Sequence, residues 1–205
     1  MTKYNLNPDL ARQGSGNSSG RITETGFYKG QLTKVRKADF GEASGLSITF
    51  VSDNNQKADF NLRLEGPHAY DEPKLHALLA CMQVRNNKGV QGTVEEYDYN
   101  EKKEVKIQAE IFPAMMNKPV GLAFQRREYI SKSDGQVKSA INLFAPFAYD
   151  TEKLADEILD GSDAFGLEQM KKYLKDKTVS KPATQADVYK QPEYTNDGFD
   201  DDIPF

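Results

Sequence analysis

The chain has 205 residues, 38% hydrophobic and 28% charged, with a formal net charge of −4. That length fits one large domain or one domain with tails, and an apolar fraction below the globular norm means that part of the chain is not packed. No run approaches the roughly 20 apolar residues of a bilayer span, Met1–Asn5 lacks the apolar core of a signal peptide, and a single cysteine, Cys81, excludes an intrachain disulfide.

A cytoplasmic, membrane-free protein is therefore the expectation, with Cys81 as a small buried hydrophobe. The charge is unevenly held. Residues 176–205 carry three lysines against seven carboxylates, which leaves 24 residues of each sign in the first 175. The acidity belongs to the C-terminal segment, and a neutral body can still carry a basic groove.

Residues 1–21 are expected to form a flexible arm, because Arg12–Gly20 is a Gly/Ser/Asn run with nothing to bury. Gly26 to Asp39 reads as a long strand, and Gly41–Gly45 as a turn. Leu46, Ile48 and Phe50 alternate with polar residues, the period of a half-buried strand. After a turn at Asp53–Gln56, Ala58, Phe60, Leu62 and Leu64 repeat that pattern. Phe50 and Phe60 are expected in the core.

Pro73 opens a helix, where its missing N–H costs little, and Leu75, Leu78, Leu79 and Met82 carry it to Arg85. Asn86–Gly89 ends it. A first hairpin pairs about Gly92–Tyr99 with Val105–Ile111. A second pairs Val120–Ile130 with Val137–Phe147 around Ser133-Asp134-Gly135, a strong hairpin turn. Thr151 is the expected N-cap of a helix through Leu154, Ala155, Ile158 and Leu159. Gly161 stops it, and Leu167, Met170, Tyr173 and Leu174 mark another.

The expected fold is mainly β: an OB-like Greek-key barrel over residues 22–150, with one helix inserted between the third and fourth strands. The second hairpin exceeds the five-strand minimum and is expected to extend the sheet. Short helices follow at 151–175, and a disordered acidic tail at 176–205.

The chain ends in Asp200, Asp201 and Asp202 followed by Ile203, Pro204 and Phe205. An exposed apolar tripeptide on a disordered tail gains nothing unless a partner buries it, which is worth roughly 1.5–3 kcal/mol for each of Ile and Phe. The aspartates favour a pocket rimmed by Lys or Arg, and capture of a terminal carboxylate is a recurring recognition mode. This tip resembles that of bacterial single-stranded DNA-binding proteins, in which it recruits helicases, nucleases, primase and polymerase-associated subunits.

The body departs from that family, with no tryptophan and no long Gly/Gln/Pro-rich linker. Over about residues 22–160 the order of elements is similar to single-stranded DNA-binding proteins encoded by tailed bacteriophages. Gly26–Gly30, Ser44–Phe50, Arg126–Tyr129 and the Thr151–Leu159 helix carry that similarity. The resemblance implies a phage or prophage protein that works in the bacterial host's cytoplasm. It would protect single-stranded DNA without sequence preference and recruit host or phage replication, recombination and repair proteins through Asp200–Phe205. Other copies of the chain are a further expected partner, a dimer being the favoured oligomer.

Such a binder needs a basic groove with flat rings on which bases stack. Alternation puts Arg127 and Tyr129 together, opposite Val120, Leu122 and Phe124. Tyr97 and Tyr99 share a face, with Lys102, Lys103 and Lys106 close behind. Lys34, Arg36 and Lys37 lie on the first strand and Arg63 on the third. Each is also what an ordinary solvated sheet face carries; the set is what points to DNA.

No enzyme is expected, and no cofactor. His68, His76 and Cys81 are too few and too badly spaced for a zinc site, and no phosphate-binding glycine loop occurs. Glu104-Val105-Lys106 with Asp98 is half of a metal-dependent nuclease pattern, without an evident third acidic ligand. Two other non-enzymatic readings are a strand-annealing recombination protein, and a decoy that presents the tail to sequester a host factor.

Overall fold

The computed structural model of the protein describes residues 20–67, 69–98, 101–131 and 133–179. In chain order they form β1 (Gly26–Phe40), β2 (Ala43–Ser52), β3 (Lys57–Glu65), α1 (Glu72–Cys81), β4 (Val90–Asp98) and β5 (Lys103–Ile111). A 3₁₀ turn (Pro113–Met115) leads to β6 (Pro119–Ile130), β7 (Val137–Phe147), α2 (Ala155–Asp160) and α3 (Gly166–Tyr173). The fold is mainly β, with all seven strands in one antiparallel sheet.

The alternating residues of β2 and β3 meet as expected. Leu46 pairs with Leu62, Ile48 with Phe60 and Phe50 with Ala58, and all six are buried. β1 is shared between two partners because it is longer than either needs. Gly26–Gln31 pairs with β6, while Gly30–Phe40 pairs with β2 across a bulge at Leu32/Lys34. β6 then pairs with β7. The remaining edges, β3 and β7, face each other across a groove lined by Ile22, Ala58 and Ile141.

Gly20–Ile22 runs parallel to β3 along that groove. The Ile22 N–H donates to Lys57 O (2.8 Å) and the Lys57 N–H to Gly20 O (2.9 Å). Residues 20 and 21 thus belong to the fold and not to the arm. Strands β1, β2, β3, β6 and β7, with α1 between the third and fourth, make the OB-like barrel. Its core includes Leu32, Val35, Leu78, Met115, Val120, Leu122 and Phe124.

One expectation about the sheet is corrected. The hairpin added to the barrel is β4–β5, and β6–β7 completes the barrel itself. β5 joins the sheet only at its base, where Ile111 pairs with Arg36. The reason is the length of β1: its first half is free to take β6, and its second half leaves an edge for β5.

Helix boundaries differ where the backbone turns left-handed. α1 stops at Cys81, four residues before Arg85, because Gln83 has φ +53°. The Gln83 N–H donates to Ala80 O (3.0 Å) and the Val84 N–H to Leu79 O (2.9 Å), a Schellman end that buries Val84. Thr151 is not an N-cap. Glu152 has φ +57° and its N–H donates to Ala148 O, which keeps that stretch a turn, and Leu154 stands at the N-cap position of α2 without a capping side chain. Gly161 (φ +68°) does end α2.

The C-terminal helices are part of the same body. Met170 and Leu174 pack with Ala123, Phe27, Ala145 and Leu154 as a second small core on the outer side of β6. Gly121 permits this layer, since a Cβ there would lie 2.0 Å from the Phe147 ring. The buried Glu157 carboxylate accepts the N–H groups of Leu154 (2.8 Å), Phe165 and Gly166 (both 2.6 Å) and so fixes the turn between α2 and α3. Burial pushes its pKa up. The Gly166, Leu154 and Phe165 N–H groups together with Lys153 outweigh that and hold it below the ordinary glutamate value.

Candidate nucleic-acid interface

Beyond Phe124, β6 outruns β1 and would leave a bare edge. The chain following α3 covers it. The Lys177 N–H donates to Arg126 O (2.9 Å) and the Glu128 N–H to Lys177 O (2.8 Å), so Arg127 and Lys177 form a parallel bridge. The Gln125 side chain donates to Lys175 O (2.9 Å). Residues 176–179, expected in the tail, are therefore a strap on β6.

Alternation along strap and strands sorts the charges by face. On one side the Asp176 carboxylate meets Arg126 (3.2 Å), and Glu128 also pairs with Arg126 (3.3 Å). The Thr25 hydroxyl, and then Arg126, hold Asp176 below the usual carboxylate range. On the other side, residues that pair across strands form rows: Tyr129 with Lys138, Arg127 with Lys177 and Ala140, Gln125 with Asn142. Lys175, two residues before Lys177, falls on the same side.

Arg127, Lys175 and Lys177 are exposed, and none makes an ion pair among the described residues. Lys138 is held by Asp134 (2.9 Å). The Tyr129 ring is 43% exposed. Cations without an ion pair among the described residues beside an exposed ring, with Glu128 and Asp176 turned to the other face, suit an extended polyanion that carries aromatic groups.

The other expected residues are dispersed. Arg36 is only 14% exposed and its guanidinium is engaged by Glu96. The Lys34 ammonium donates to Glu95 O (3.3 Å). Glu96 lies six residues along β4 from Val90, which pairs with Ile111. A straight hairpin would carry Glu96 about 20 Å away, so β4–β5 curls back over β1 and engages Lys34 and Arg36, which are both partly buried. Lys37 pairs in register with the buried Leu46, on the face opposite to Lys34 and Arg36. Arg63 is exposed on β3, without an ion pair among the described residues.

Tyr97 and Lys106 share the outer face of the curled hairpin, where Lys106 approaches Glu95 (3.9 Å), while Lys103 pairs with Glu101 (2.5 Å). Tyr99 and Asp200, Asp201, Asp202, Ile203, Pro204 and Phe205 lie outside the described residues. Among the described residues, the fold brings the expected DNA contacts together as Arg127 with Tyr129 on β6 and Tyr97 with Lys106 on the β4–β5 hairpin, where Lys106 is drawn to Glu95.

Lys138, Lys175 and Lys177 were not foreseen. The i, i+2 spacing of Lys175 and Lys177 around Asp176 is the signal that an extended segment with segregated faces would leave. Among the described residues, no three His, Cys, Asp or Glu side chains lie close enough to hold a metal ion. Nor is any helix there long and apolar enough to cross a membrane. Cys81 is buried and its thiol is pushed up to about 12, by desolvation first and by Asp156 second. No protein-family model matches the chain, and no curated protein matches it in sequence.

Proposed function

We propose that this protein binds single-stranded DNA without sequence preference on the outer face of the β6–β7 sheet, and presents its acidic C-terminal tip to partner proteins. The observation that carries the reading is the sorting of charge: Arg127, Lys175 and Lys177 share one face with Tyr129, while Glu128 and Asp176 are bound to Arg126 on the other. Phosphates are then met by cations that need not break an ion pair with any described residue first, and a base has an exposed ring on which to stack.

The strap also joins the two activities. Val179 leads into the acidic tail from the same edge of β6, its N–H 3.4 Å from a Glu128 carboxylate oxygen. The 26 residues that follow Val179 span at most about 90 Å. That is enough for the aspartates to compete with DNA for the strip, and for DNA to displace them.

Fluorescence polarisation with labelled oligothymidylate and with duplex of the same length tests the reading. Single strand is expected to bind more tightly than duplex, and its affinity to fall as salt rises. Equal affinity for both, or no binding, overturns it and leaves the tail-presenting decoy as the better account. Acceleration of pairing between complementary strands would mark an annealing protein.

A further inference from the structure

We infer that the ring pair Phe144–Tyr173 is a second base-stacking station, at the far end of the strip from Tyr129; the inference rests on the single-stranded DNA reading. Phe144 sits at an irregularity of the sheet. Ala123 pairs with Ala145, but Phe124 pairs with Leu143, so Phe144 is the extra residue of a bulge. Leu143 keeps its place in the core, and Phe144 is turned to the surface, 36% exposed. Bulges of this kind re-aim a side chain at the cost of a ladder hydrogen bond.

Nothing in the core needs that ring. Its neighbour is Tyr173, the last residue of α3 and 60% exposed, with ring centroids 6.5 Å apart at 63°. In that edge-to-face contact each ring props the other and leaves an outer face open, so a base lies against the pair and not between its members.

The pair is continuous with the cationic strip. Tyr173 leads through Leu174 into Lys175 and Lys177, and Phe144 lies two residues past Asn142 on β7. Six residues separate Lys138, the partner of Tyr129, from Phe144, about 20 Å along an extended strand. A strand of DNA laid from Tyr129 to Tyr173 would thus meet a ring, then three cations that make no ion pair among the described residues, then a ring. At about 3.4 Å per stacked nucleotide that span takes about six nucleotides, within the roughly 4–16 occupied per OB fold. An exposed aromatic pair with no cations beside it would be a poorer seat for a charged chain than for an apolar one.

The absence of tryptophan supplies the test. Tyr173→Trp introduces a single tryptophan whose emission is expected to be quenched by oligothymidylate of about 16 nucleotides. In polarisation titrations with the same oligonucleotide, Tyr173→Ala and Phe144→Ala are each expected to weaken binding about five- to tenfold. Tyr173→Phe is expected to restore it, because stacking needs the ring and not the hydroxyl. Melting temperatures of the variants establish that the fold is kept, and the quenching of Tyr173→Trp carries the test if an alanine variant unfolds. If Tyr129→Ala weakens binding while Tyr173→Ala does not and the tryptophan is unquenched, the station is overturned and the broader reading stands. If the intact chain does not bind the oligonucleotide, both fall together.

Discussion

Replacing Arg127, Lys175 and Lys177 together by alanine should flatten the salt dependence of DNA binding by a calculable amount. The three are exposed and make no ion pair among the described residues, so each is free to neutralise one phosphate. Each phosphate contact on a single strand contributes about 0.7 to the slope of log affinity against log salt. Three contribute about 2.1. Between about 50 and 200 mM salt, that part of the slope alone is worth roughly 18-fold in affinity. Polarisation titrations of the intact chain and the triple variant across that range measure the difference directly.

Arg36→Ala is the control. Its guanidinium is already paired with Glu96, while its buried Nε has no hydrogen-bond partner among the described residues, so its removal should leave the slope unchanged while lowering stability by about 1–2 kcal/mol. That is less than for a fully buried pair, because Glu96 is about a third exposed. The reasoning is refuted if the triple variant keeps the slope of the intact chain, or if Arg36→Ala lowers the slope as a free cation would.

Other consequences can be checked separately. Glu157 has a depressed folded-state pKa, so its contribution to stability is present above the unfolded value of about 4.3 and is lost as pH falls through the lower folded value. Thermal melts should show Glu157→Gln less stable than the intact chain at pH 7, with the difference shrinking on acidification; an unchanged neutral melting temperature would remove Glu157 from its structural role. Cys81, with its thiol pushed up to about 12, should resist maleimide at neutral pH until the protein unfolds, and rapid labelling of the native chain would contradict its burial. Phe205→Ala should abolish capture of tail-dependent partners without changing affinity for single strands, since it keeps every side-chain carboxylate; undiminished pull-down of the same proteins would show that the tip is not the docking element.

The sequence by itself determined what depends on near neighbours. Strand and helix identity followed from period, because Ala58, Phe60 and Leu62 can face one core only as a strand, and Gly135 and Gly161 mark turns by the backbone angles they tolerate. The shared face of Arg127 and Tyr129 came from alternation alone. Period is blind to which edge meets which. That β4–β5 and not β6–β7 is the added hairpin depends on how β1 divides its length between β2, β5 and β6. Arg36 looked like a free cation until the curl of β4 brought Glu96 from 60 residues away. Lys175 read as the end of the helical segment and Lys177 as the start of a tail until the unpaired end of β6 gave that stretch a strand to lie against. A bare sheet edge is satisfied by whatever chain can reach it, and reach is a property of the folded body.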